Sequence, residues 1–223
     1  MTKYRGHWKG VVFDFDGTLL NSNVAGRERF AQIAISLGLS VSETAAEKIT
    51  KMWGAPGYVL IEACWPGADT DAFMYHWEKF DSENPLQLFP GAREAVEALS
   101  ASLLLSLLTS RDWSTHAQLR EHGIDSLFTF VCTLEDSPRP KPHPRSIESL
   151  LHSYHEDHGV TQNDLVLIGD SVHSDYGLAK AIGMDFIAAS WGNNTRDEFL
   201  AAGVKEEYIA DSIEHLLQML TQS

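Results

Sequence analysis

VVFDFDGTLL, residues 11–20, is a short apolar run that ends in two carboxylates one residue apart, Asp14 and Asp16, followed by a glycine. A buried strand that stops there and turns at Gly17 holds two acids at the carboxyl end of a sheet, where open α/β proteins bind their ligands. Taken alone, the same residues also suit a strand closed by an Asx turn, a purely structural use. The chemistry has to be carried by further residues elsewhere in the chain.

The 223 residues suffice for one good core and a small second unit, and 43% hydrophobic with 22% charged residues is a globular balance. No apolar stretch approaches the ~20 residues needed to span a bilayer; the longest, residues 103–108, is strand-sized and broken by Ser106. The opening MTKYRGHWKG carries positive charge with no apolar block before Asp14, so it does not read as a signal peptide, and a cytoplasmic location is expected. Cys64 and Cys132 form no Cys-x-x-Cys and suit a reducing compartment as packing residues. Seventeen basic against 31 acidic residues leave a formal charge of -14, which repels nucleic acid and anionic membranes. A phosphorylated metabolite is repelled too, unless a metal ion, a lysine and backbone amides reverse the field locally.

After Leu20 helices are expected at 23–39, 42–53, 57–63 and 69–82, with Ala31, Ala34, Ile35 and Gly38 marking one face of the first and Ser42 opening the second. Phe89, Pro90 and Gly91 then lead into a helix with an apolar stripe at Ala92, Ala95, Val96 and Leu99. From there strands at 103–108, 128–133, 165–168 and 186–189 alternate with helices. One helix lies near Trp113 to His122, one carries Ile147, Leu150, Leu151 and Tyr154, one ends at Gly183, and the last carries Ile213, Leu216, Leu217 and Leu220. Nearly continuous apolar strands separated by helices argue a parallel sheet covered on both faces. There is no internal repeat and no low-complexity tract.

Three further strand ends carry polar residues. LLTSRDW puts Thr109 and Ser110 where the second strand stops, and a hydroxyl with free amides at a helix start suits a phosphoryl group, although a plain N-cap uses the same residues. SPRPKPHP holds Lys141 between two prolines, on a stiff loop, while Arg139, His143 and Arg145 read as surface residues. LVLIGDSVHSD ends the fourth strand at Asp170, with Asp175 following. Asp14, Asp16, Asp170 and Asp175 gathered at neighbouring strand ends would repel one another unless a cation compensates, and a hard divalent ion with oxygen ligands is the natural solution.

These four motifs, in this order, resemble those of the haloacid dehalogenase superfamily. WGAPG at 53–57, FPGA at 89–92 and the ending VKEEYIADSIEHLL look most like its phosphoglycolate phosphatase-like branch. The resemblance implies a Rossmann-like three-layer α/β core of strand order 5-4-1-2-3, spanning 1–20 and 86–223, with an α-helical cap inserted at 21–85 and hinged near Asn21, Ser22 and Asn23. It implies a phosphatase using Mg2+ to hydrolyse a small phosphate monoester through an aspartyl-phosphate: Asp14 as nucleophile, Asp16 as acid and base, and Thr109, Ser110 and Lys141 on the phosphoryl group. Burial and neighbouring carboxylates are expected to keep Asp16 protonated at the start. The implied metal ligands are the Asp14 carboxylate, the Asp16 backbone carbonyl and Asp170, with Asp175 either a ligand or a group orienting Lys141 and a bound water.

Dehalogenase chemistry is disfavoured because those enzymes generally lack the second Asp. A phosphonate hydrolase would need a cap lysine, for which Lys48 and Lys51 are candidates, both more ordinary as a solvated face. A sugar phosphomutase would share every core residue. A phospho-receiver domain has its acidic pair after the first strand and its lysine near the end, an order this chain lacks, and a non-catalytic binding protein is disfavoured because no expected core residue is missing. Trp53, Tyr58, Trp65 and Trp77 read as core of the helical unit, with the crevice lining as the alternative.

Overall fold

The computed structural model describes residues 8–112 and 114–221. The expectation for the first seven residues, and that for Trp113 as a helix start, lie outside the described residues. Among those described, six parallel strands form one sheet: β1 (Gly10–Phe13), β2 (Leu104–Leu108), β3 (Phe130–Cys132), β4 (Leu165–Gly169), β5 (Asp185–Ala189) and β6 (Ile209–Ala210), in the order β3-β2-β1-β4-β5-β6. This is the expected order read from the other edge, with a sixth strand added. β6 escaped the sequence reading because two residues carry no periodicity. The third strand is shorter than its expected 128–133, since Phe128 ends a 3₁₀ turn.

β1 is buried along its whole length, and alternation sends its residues to two cores. Val11 and Phe13 join the core built with α5 (Ala92–Ser100), α6 (Thr115–Glu121) and α10 (Ile213–Thr221). Val12 joins the opposite one, built with α7 (Glu148–His158), α8 (Gly177–Ile182) and α9 (Arg196–Ala202). The helix α9 was not anticipated. The polar break at Ser106 is resolved by a hydrogen bond to the buried Tyr154 hydroxyl. With β2 on one side and β4 on the other, β1 sits where the chain reverses its direction of strand addition, so a crevice opens at its carboxyl end.

Between β1 and α5 lie α1 (Asn23–Ser36), α2 (Glu43–Lys51), α3 (Gly57–Cys64) and α4 (Thr70–Glu83). Ser42 and Asp69 cap α2 and α4 by accepting from the amides of Ala45 and Ala72. These helices share their own core of Phe30, Ile33, Ala34, Ile49, Ile61, Trp65 and Phe73, among others. The buried face of α1 is therefore Gly26, Arg29, Phe30, Ile33 and Ala34. The expected face through Ile35 is corrected: that residue is 63% exposed, because Phe30 and not Ala31 sets the phase. The two strands of chain joining this unit to the sheet run side by side, with Asn21 N–H donating to Gln87 and Phe89 N–H to Leu19. No helix among the described residues is long and apolar enough to cross a membrane. Both cysteines are free thiols.

Candidate active site

The carboxyl ends of β1 and β4 and the loop after β3 meet at one buried ammonium. Lys141 Nζ donates to Asp14 Oδ1 at 2.6 Å, to Asp175 Oδ1 at 2.7 Å and to the Leu108 carbonyl at 3.1 Å. Asp175 reaches this position from a π-helical turn, Val172–Tyr176, that precedes α8, and its other oxygen accepts from the Ser171 amide at 3.0 Å. Asp170 ends the same strand, and its Oδ2 accepts from Asn193 N–H at 2.7 Å. Ligand-capable oxygens of Asp14, Asp170 and Asp175 lie within 4.8 Å of one another, all buried. Two glycines make the approach possible: a Cβ on Gly17, whose φ is +75°, would stand 1.8 Å from Asp170 Oδ2, and one on Gly192 would stand 2.3 Å from Asp170 Cβ.

Three carboxylates face one ammonium, and the crowding bears on Asp14 and Asp170. Burial pushes Asp14 up from 3.8 to about 7, with Lys141 opposing and Asp175 adding to the rise. Burial also pushes Asp170 well above the carboxylate range, helped by Asp14 and Asp175. Burial alone would lower the Lys141 ammonium, but Asp14 and Asp175 together raise it above its ordinary value. A second positive charge of small radius fits such a site, because only oxygen donors are present and they are one charge or more short of compensation.

Asp16 is oriented differently from the sequence expectation. Its Oδ1 accepts from Arg111 at 3.0 Å, so its nearest partner is a cation and not the carboxylate cluster. The other end of that guanidinium donates to Asp81 of α4 at 2.7 Å. Asp81 also accepts from Arg29 of α1 and from Gln118 of α6, so one buried carboxylate ties the helical unit to the sheet's helices. Thr109 is buried at the end of β2, its hydroxyl accepting from the Arg111 amide at 3.1 Å. The amides of Asp16 and Ser110 meet no acceptor among the described residues.

A cavity of about 270 Å³ lies between the helical unit and the strand ends; Asp16, Ser110 and Arg111 reach it, while Asp14, Lys141, Asp170 and Asp175 do not line it. Asp16, Ser110 and Arg111 form part of its floor, Phe30, Trp53, Tyr58, Met74 and Trp77 its apolar wall, and Glu78, Asp112 and Glu135 are further lining carboxylates. Trp53 and Trp77 are thus both packing residues and cavity wall, whereas Trp65 is only core.

The family model of the haloacid dehalogenase-like hydrolases matches residues 11–189, from β1 to the end of β5. The chain belongs to that family. A phosphoglycolate phosphatase of Yersinia pestis is 30% identical over 200 residues, covering 83% of this chain and 82% of that one. A pyrophosphatase of Oceanobacillus iheyensis is 23% identical over 96% of this chain and 97% of its own. Among solved structures, one titled a predicted phosphoglycolate phosphatase from Haemophilus somnus superposes with a TM-score of 0.79 at 21% identity, over 96% of this chain and 98% of that one.

Within this dehalogenase-like hydrolase, Asp14, Lys141, Asp170 and Asp175 lie in one cluster, while Thr109 and Ser110 follow the end of β2 and Asp16 turns to Arg111. The cap lysines do not reach the cavity: Lys48 donates to the Ala63 carbonyl at 2.6 Å and Lys51 pairs with Glu47 at 3.7 Å. The sequence reading missed two groups. Arg111 lies two residues past Thr109, and an arginine so close to a phosphoryl-binding motif was the available signal. SWGNN at 190–194 folds over Asp170, with Trp191 donating to the Thr18 carbonyl at 3.0 Å and the Asn193 amide donating to Asp170. Nothing local marks that loop, because its partners are far off in the chain.

Proposed function

We propose that this protein is a magnesium-dependent phosphatase that hydrolyses a small phosphate monoester through an aspartyl-phosphate on Asp14. The observation that carries the reading is the Lys141 ammonium bridging Asp14 and Asp175, with Asp170 in the same cluster, at strand ends whose neighbours Asp16 and Ser110 line a cavity. Relatives named as phosphatases support phosphoryl over carbon chemistry. The Asp14 and Asp170 carboxylates and the Asp16 carbonyl would hold Mg2+. Asp175, with both oxygens already engaged by Lys141 and Ser171 N–H, orients the lysine. When bound, the ion offsets the surplus negative charge and polarises the phosphoryl oxygens.

An Asp14 oxygen attacks phosphorus in line, forming a new P–O bond as the bond to the alcohol oxygen breaks. Asp16, its Oδ1 held by Arg111, gives a proton from Oδ2 to the departing alkoxide. Water then attacks the phosphorus of the acyl phosphate while Asp16 takes its proton, and inorganic phosphate leaves with Asp14 restored. Lys141, the Thr109 hydroxyl and the Ser110 amide hold the equatorial oxygens, whose charge must be stabilised in both steps. Residues 21–85 act as a cap on the core formed by 1–20 and 86–223, opening on the paired linkers around Asn21 and Gln87 and closing out water.

The test is phosphate release from a panel of small esters, with magnesium and then with EDTA. Release should need the metal and should vanish in Asp14→Asn with the fold intact. Turnover by that variant, or indifference to EDTA, would refute the reading.

A further inference from the structure

We propose that the alcohol released by this phosphatase carries a positive charge: a short alkanol bearing a protonated or quaternary amine, received by the cavity between the helical unit and the strand ends. The inference deepens the phosphatase reading and rests on it for the position of the phosphoryl group. With that group at Asp14 and Ser110, the rest of the substrate has to enter the adjoining cavity, whose floor includes Asp16 and Ser110.

The charges of the lining decide the sign of that moiety. Four carboxylates border the cavity, Asp16, Glu78, Asp112 and Glu135, against one cation, Arg111. That cation is already spoken for, one nitrogen on Asp16 at 3.0 Å and another on Asp81 at 2.7 Å. Glu78, Asp112 and Glu135 come from three separate elements, α4 and the loops after β2 and β3, and the two loops are tied by Leu134 N–H donating to the Arg111 carbonyl at 2.8 Å. Glu78 senses the other two: burial raises it, and Asp112 and Glu135 raise it further. A glycolate or any other carboxylated leaving group would meet three like charges.

The wall is suited to an ammonium. The Trp53 and Trp77 rings meet at 6.3 Å and 64°, an indole corner backed by Phe30 at 6.1 and 6.0 Å, and Tyr58 adds a fourth ring. Electron-rich aromatic faces beside carboxylates attract an organic cation by charge and by ring quadrupole together. Gly26 helps build the corner, because a Cβ there would stand 2.5 Å from Trp53 Cζ2. At about 270 Å³ the space is at the small end of ligand pockets and has room for a short amino alcohol.

The experiment compares kcat/KM for phosphorylcholine, its neutral isostere 3,3-dimethylbutyl phosphate, and phosphoglycolate, with p-nitrophenyl phosphate as a general phosphatase substrate. In parallel, choline and glycolate are titrated against tryptophan fluorescence of the same protein. Phosphorylcholine should exceed the isostere by about tenfold and phosphoglycolate by about a hundredfold, the scale of one cation–π contact with carboxylates beside it. Choline should quench the fluorescence and glycolate should not. Glu78→Gln and Trp77→Leu should raise KM for phosphorylcholine several-fold more than for the isostere. Equal or better turnover of phosphoglycolate or the isostere, or no choline binding, overturns the proposal. Choline binding with no hydrolysis of any ester, p-nitrophenyl phosphate included, supports the cation-binding cavity and sinks the phosphatase reading instead.

Discussion

Replacing Asp81 with asparagine keeps the side chain's size and removes one charge from a buried junction. Asp81 is 5% exposed and accepts from Arg29, Arg111 and Gln118. Asparagine would turn one of those oxygens into a donor, facing Arg29 if it is Oδ1 or Arg111 and the Gln118 amide if it is Oδ2. Removing one partner of a buried pair costs about 3–5 kcal/mol, because the other charge stays buried and unmatched. Arg111 keeps Asp16, while Arg29 keeps the Asn84 carbonyl and lies over the Trp77 and Phe80 rings at 5.7 and 4.8 Å, so the lower end, about 3 kcal/mol, is expected. For a chain of this size that corresponds to a fall in Tm of roughly 6–12 °C. Urea titration and thermal melting of parent and Asp81→Asn give the number directly. The paired change Arg29→Met with Asp81→Leu should recover much of the loss, since apolar residues of similar volume carry no desolvation penalty. A single variant within 1 kcal/mol of the parent would mean that the junction does not bind the helical unit to the core as described.

In EDTA, Asp14, pushed up from 3.8 to about 7 mainly by burial, holds in the folded state a proton that the unfolded chain has already released. Its contribution is complete below 3.8 and is lost as pH rises through about 7, so metal-free stability should fall across that window by at most about 1.4 kcal/mol per pH unit. Asp14→Asn should flatten the fall; parallel profiles for the two proteins would contradict the assignment. Asp16→Ala should slow phosphate release about a hundredfold or more, in both the leaving-group and the dephosphorylation step; a variant as fast as the parent would remove Asp16 from proton transfer. Gly192→Ala would place a methyl 2.3 Å from Asp170 Cβ and 2.4 Å from the Gly17 carbonyl, so overpacking should cost about 1–3 kcal/mol and slow turnover by displacing Asp170. Unchanged melting and unchanged phosphate release together would show that the 190–194 loop yields freely.

The core architecture and the candidate catalytic cluster were legible in the sequence for one reason: each residue concerned ends an apolar run. Asp14, Thr109 and Asp170 each announce both a strand and its terminus, and a parallel sheet brings such termini together whatever the intervening lengths. Lys141 was legible through the prolines that flank it. Boundaries and short elements were not, as β6 and α9 show, because two strand residues or seven helical ones compete with the tertiary contacts that form them. The side of α1 that packs was misjudged for a related reason: several phases of a mixed helix look equally apolar until a large residue, here Phe30, finds its cavity.

What the sequence determined by itself is therefore the sheet, the helical insertion and the polar residues at the strand ends, all of which follow from local patterns. The tertiary structure alone decided that Arg111 holds Asp16 across 95 residues and Asp81 across 30, that SWGNN covers Asp170, and that two tryptophans wall a cavity with three carboxylates. Charge pairing and cavity shape depend on distance in space, and no spacing along the chain encodes which of 31 acids will face which of 17 bases.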